Sequence, residues 1–206
     1  MEKHKLLKEI LTIILAALVL AIVVSFPNMK NLPYPFYSFL IIISLAGLLK
    51  KTYAYYLEAD TKIKFWSMYQ YGFKRKSHFK RPVPMVWVPL ILAPIHLWWF
   101  GILETEIVAR TERVSKRHGL YRFSEMTDWH IALINSLGII TTLFLAIIGY
   151  LINQELFSNL AIYYTFWSIL PIGGLDGTKI FFGSRYLWTI LAIFLLIIFG
   201  WLILIV

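Results

Sequence analysis

The amino-acid sequence predicts an all-α fold, a polytopic membrane helical bundle of about six transmembrane segments, on three observations. Hydrophobic residues make up 59% of the 206 and charged residues only 15%, against the ~25% charged of a soluble domain. Several windows reach or approach the ~20 mainly apolar residues that span a bilayer. Near the C-terminus, proline and glycine interrupt one such window, and an acid stands at the break.

The chain opens on a basic start (Lys3, Lys5, Lys8) and a first apolar segment from about Leu6 to Phe26. It is longer than the ~7–15 residues of a signal-peptide core, and Ser25-Phe26-Pro27-Asn28 is a poor cleavage site, so a retained anchor is expected. A second, shorter window runs from Tyr34 to Leu49. The third, Pro82 to Leu103, contains Pro84, Pro89 and Pro94, which predicts a bent or partly re-entrant segment because each proline removes a helical hydrogen bond. The last three windows are Ile131 to Ile152, Phe157 to Leu175 and Tyr186 to Val206.

Between them lie two polar stretches. Lys50 to Arg81 holds nine of the twenty Lys and Arg residues together with Tyr53, Tyr55, Tyr56, Phe65, Trp66, Tyr69, Tyr71 and Phe73. That mixture predicts a helix lying in the headgroup layer, or simply a positive-inside anchor loop. Glu104 to His118 has the composition of a solvated helix, with Glu106 to Arg110 and Glu112 to Lys116 spaced four apart and Gly119 as a stop. Ser124, Thr127 and Asp128 offer caps for the next helix, whose Asn135, Ser136 and Gly138 would let a neighbour pack closely. Residues 1–81 read as an N-terminal transmembrane pair with a basic aromatic segment, and residues 82–206 as the membrane core.

Composition also excludes. Cysteine is absent, which removes disulfides, thiolate zinc sites and cysteine nucleophiles. The net charge of +9 is that of cytoplasmic loops, and no nucleic-acid motif accompanies it. The expected setting is therefore an integral membrane protein of the cell membrane with a cytoplasmic N-terminus, its partners the lipid bilayer and a transmembrane protein. Six spans with Lys50 to Arg81 inside would bring both termini to the cytoplasm and put the second polar stretch outside.

Leu170-Pro171-Ile172-Gly173-Gly174-Leu175-Asp176-Gly177 is the stretch that carries chemistry. A carboxylate at membrane depth is costly unless paired, metal-bound or facing a cavity, so Asp176 is the functional candidate. Pro171, Gly173, Gly174 and Gly177 mark the helix break. Read on its own, Asp176 pairs with Lys179 or Arg185, caps its own turn, or binds a metal.

This element resembles the "LP…LDG" element of the site-2 proteases, the intramembrane zinc metalloproteases of peptidase family M50. Thr127-Asp128-Trp129-His130-Ile131-Ala132-Leu133-Ile134-Asn135-Ser136-Leu137-Gly138 is similar to the start of that family's central helix, and Gly177 to Arg185 resembles its archaeal members. The likeness covers roughly Pro82 to Val206. It implies a core with a broken helix and Asp176 as the third zinc ligand. The family's His-Glu-x-x-His motif, two zinc ligands and a general base on one helix face, is missing: none of the five histidines begins it. Conceivable co-ligands are His96, His130, Glu104 and Glu106, each with a plainer reading as a packed or surface residue.

The expectation is a pseudoprotease without catalytic residues or cofactor, which binds a transmembrane or lipid partner or serves as a subunit of a membrane complex. The alternative is an active intramembrane zinc metalloprotease with unconventional ligands. A third reading, a small transporter, rests on the broken helices, which transporters place at mid-membrane sites.

Overall fold

The computed structural model describes residues 2–70, 78–110 and 126–205. The described chain is mostly helical: α1 (Glu2–Ser25), α2 (Pro33–Tyr56), α3 (Trp87–Leu92), α4 (Asp128–Leu151), α5 (Glu155–Ile169), α6 (Asp176–Gly183) and α7 (Arg185–Ile205). Three are long and apolar enough to cross a membrane, Leu6–Ser25 of α1, Pro33–Tyr56 and Asp128–Leu151, while Arg185–Trp201 forms a shorter apolar helix.

The first, fourth, fifth and sixth predicted windows fall on α1, α4, α5 and α7. The second is longer than expected. Pro33 and Pro35 fall in its first turn, where a missing N–H costs nothing, and the helix runs on through Gly47 to Tyr56, just before Glu58 takes a positive φ of 56°. Lys50 and Lys51 thus belong to a helix. The third window is corrected: Pro82 to Leu103 is no continuous helix. It leaves a strand, makes the six residues of α3 and a 3-10 turn (Ala93–Ile95), reverses at His96 with φ 56°, and returns without helix to Leu103. Pro89 and Pro94 limit how far any helix can run there.

The all-α expectation is corrected as well. Two antiparallel ladders cover one end of the bundle, β1 (Ala59–Phe65) with β4 (Leu103–Ala109) and β2 (Ser67–Gln70) with β3 (His78–Pro84). The stretch read as an interfacial helix therefore contains three strands. The stretch read as a solvated helix begins with a fourth. Alternation is the cause: Ala59, Thr61 and Ile63 are buried while Asp60, Lys62 and Lys64 are exposed, the period of a half-buried strand. Opposite charges then meet across the ladder rather than along a helix. Lys64 lies 3.9 Å from Glu104 and 3.7 Å from Glu106, and Arg110 lies 2.6 Å from Asp60. Tyr71, Phe73, Glu112, Lys116, Gly119 and Ser124 fall outside the described residues.

Because β4 pairs with β1, both polar stretches meet the bundle at the same end. The start of α2 lies at the other end, where Tyr34 donates to Gln154 (2.8 Å) in the turn between α4 and α5. Both ladders cross the sequence boundary near residue 81, and one apolar core joins Leu20 and Phe39 to Phe100, Leu160 and Ile180.

Thr127 caps α4, its hydroxyl accepting from the His130 N–H at 3.4 Å. Thr127→Ala is expected to cost about 1 kcal/mol, with Thr127→Ser close to wild type. A thermal midpoint for the alanine variant equal to wild type would show the cap to be idle.

Candidate functional site

The site is assembled from α2, β4, α4 and the α5–α6 break. Helix α5 stops at Ile169 because Leu170 precedes a proline and is held extended (φ −63°, ψ 132°), as the proline ring requires. Gly173 turns the chain at φ 56°, a conformation only glycine adopts at no steric cost. Its neighbour Trp66 lies so close that a Cβ would overlap the ring. Helix α6 then begins at Asp176, whose carboxylate sits at the positive end of the helix dipole.

Asp176 is 8% exposed. Its partner is Lys50 of α2, itself 6% exposed, whose ammonium donates to Asp176 Oδ2. Thr105 of β4 completes a triangle: its hydroxyl donates to Asp176 Oδ1 at 3.0 Å and accepts from Lys50 Nζ at 3.0 Å. The lysine stem reaches inward along α4 at Gly138, where a Cβ would collide with Lys50 Cε. The small-residue start of α4 does let another helix approach, and that helix is α2.

A second layer surrounds the triangle. Lys179 donates to the Thr105 carbonyl and lies 3.7 Å from Glu104, whose carboxylate lies against Gly174. Burial pushes the Lys179 ammonium below the usual lysine range, against the opposing pull of Asp176 and Glu104. Tyr164 and Ser168 of α5 join Lys50, Thr105 and Asp176 around a cavity of about 20 Å³, room for a single water.

The chemical consequence is charge compensation. Removing one partner of a buried pair leaves an uncompensated ion, which costs far more than the intact pair contributes. The pairings of Asp176 expected from the sequence are corrected accordingly, since its ion-pair partner is Lys50. Lys179 serves Thr105 and Glu104, and the Arg185 guanidinium lies over the Phe181 ring, 5.8 Å from its centre.

Zinc needs three protein ligands at about 2.0–2.2 Å, and the residues gathered here do not fit it. Both Asp176 oxygens are engaged by Lys50 and Thr105. Glu104 and Glu106 turn to lysines. His96 is exposed in a groove with Trp98, Tyr163 and Phe199, and His130 contacts Thr127 at the start of α4. Among the described residues no group of three or more His, Asp and Glu side chains could hold a metal ion.

Lys50, Thr105 and Tyr164 are not among the residues the sequence singles out. A signal for Lys50 exists: it continues the buried stripe Phe39, Ile42, Ile43, Ala46, Gly47 of α2 at helical spacing.

Fold and site together define a helical protein of membrane type with a buried lysine–aspartate pair beneath a two-stranded lid. No family model, curated protein or solved structure matches the chain.

Proposed function

We propose that the protein is a non-catalytic membrane protein of site-2-protease type, a pseudoprotease that binds a transmembrane or lipid partner or serves as a subunit of a membrane complex. One observation carries this reading: the aspartate at the Leu-Asp-Gly break is neutralised by Lys50, a cation supplied by the chain itself. A tethered ammonium occupies the carboxylate that the resemblance assigns to zinc, and Thr105 takes the remaining oxygen. The outer surfaces of α4 and α7 favour an apolar partner, with Phe144, Leu151, Phe194 and Ile197 all exposed.

The three long helices α1, α2 and α4 then cross the bilayer with the ladder end in the cytoplasm. Among the described residues Lys30 is the one basic residue at the opposite end, while Lys51, Lys62, Lys80, Arg81 and Arg110 lie at the ladder end. That asymmetry is the positive-inside pattern. The start of α1 lies at the ladder end, so the N-terminus is inside as well.

Elemental analysis of the purified protein tests the proposal. Zinc is expected well below one per chain in the wild type and unchanged in Asp176→Ala. One zinc per chain that disappears in Asp176→Ala would establish the metalloprotease reading in its place.

A further inference from the structure

From Thr61 to Leu103 the chain contains no Asp or Glu, yet it carries seven Lys and Arg residues. Two of the seven, Lys62 and Lys64, stand opposite Glu106 and Glu104 in the β1–β4 ladder. Lys80 and Arg81 of β3 are different. Both are exposed, and no ion pair engages either among the described residues.

The segment just beyond them, α3 and its 3-10 turn, is apolar on every side. Val86, Leu90 and Ala93 pack on the core, while Trp87, Ile91 and Ile95 are 59%, 72% and 67% exposed. A short helix hydrophobic all round belongs in an apolar medium on its outer face too. Tyr69 on β2, 61% exposed, and Val83 on β3, 40% exposed, are further exposed apolar side chains of the β2–β3 ladder. Tyrosine and tryptophan suit the level of the headgroups.

We infer that the β2–β3 ladder and α3 form a lipid-binding surface that selects anionic phospholipid, with Lys80 and Arg81 on the lipid phosphate, Trp87 at the headgroup level and Ile91 and Ile95 in the acyl layer. The charge is complementary to a phosphate, and arginine presents a fork of donors to it. The apolar helix that follows the charges within six residues favours a lipid over an acidic protein or a nucleic acid, neither of which would cover Ile91 and Ile95. The inference is independent of the Lys50–Asp176 pair and of the pseudoprotease reading.

The absence of cysteine makes the test clean, because Tyr69→Cys gives one labelling site for an environment-sensitive dye. The full chain is placed in nanodiscs of phosphatidylcholine alone or with about one third phosphatidylglycerol, and lipids copurifying after detergent extraction are counted by native mass spectrometry. Phosphatidylglycerol is expected to be retained over phosphatidylcholine. With both charges removed in Lys80→Gln/Arg81→Gln, retention should fall about tenfold. The dye should be quenched by headgroup-labelled phosphatidylglycerol, and less so near 1 M salt, where the screening length falls to ~3 Å. The two side chains are exposed, so the variant keeps the wild-type thermal midpoint. Equal retention of the two lipids would overturn the inference, as would selectivity that survives the double variant. A dye response to oligonucleotide or polyglutamate in phosphatidylcholine discs, without one to phosphatidylglycerol, would assign the surface to a soluble acidic partner instead.

Discussion

Lys50→Met is expected to destabilise the protein by about 3–5 kcal/mol, the cost of stranding a buried carboxylate. The methionine fills much of the channel along Gly138, so the loss comes from charge rather than volume. Asp176 would retain Thr105 as a neutral donor at 3.0 Å, which cannot replace a counter-ion. In Lys50→Met/Asp176→Leu both charges are gone, and most of the loss should return, because an apolar pair of similar volume is often as stable as a buried ion pair. Thermal unfolding in one detergent across wild type, both single variants and the double variant measures the coupling. A Lys50→Met protein as stable as wild type would remove the pair from its structural role, and with it the observation that carries the proposed function.

Gly177→Ala should be comparably damaging for a steric reason. Helix α6 passes so close to the end of α5 that a Cβ at residue 177 would meet Ile169 carbonyl atoms and lie 2.7 Å from the Leu170 oxygen. Backbone cannot move aside as a side chain does, so α6 must shift and carry Asp176 away from Lys50. A loss of about 3 kcal/mol is expected, the upper end for overpacking, together with a weaker response to Lys50→Met because the pair is already parted. Gly200→Ala is the matched control. Nothing lies within 4 Å of its added Cβ, and alanine in a helix gains up to about 1 kcal/mol over glycine. Thermal midpoints of the two variants decide it, and Gly177→Ala behaving like Gly200→Ala would contradict the packing of the break.

The two expectations concern one device. Gly138 gives Lys50 its channel, Gly173 turns the chain beneath Trp66, and Gly177 lets α6 press against α5. Each removes a side chain where two backbones or a long lysine must pass. The pair in turn ties α2, near the N-terminus, to the break near the C-terminus through β4.

Local signals make much of this legible in advance. Apolar runs of 20 residues or more mark α1 and α4 directly, Thr127 marks the start of α4, and Pro171 with Gly173 marks the end of α5. Asp176 stands out because an acid inside an apolar frame demands compensation. The ladders are also legible in the chain, as the alternation of Ala59 to Phe65 and of Leu103 to Ile107. There the charge spacing that pairs Glu106 with Arg110 on a helix serves a strand equally well, since residues four apart share a face in both. The proline-rich third window misleads for another reason: its composition is that of a span, but Pro89 and Pro94 hold its helix to α3 and a 3-10 turn.

The sequence by itself determined a helical membrane-type chain, the place of the helix break and the acid at it, because these depend on apolar length, on backbone freedom at proline and glycine, and on the cost of an ion in an apolar medium. Only the tertiary structure decided what answers that acid. Lys50 lies 126 residues from Asp176 and Thr105 lies 71, and no local rule connects them. Bringing β4 back onto β1 and α2 against Gly138 converts an apparent loop lysine into the counter-ion of the core.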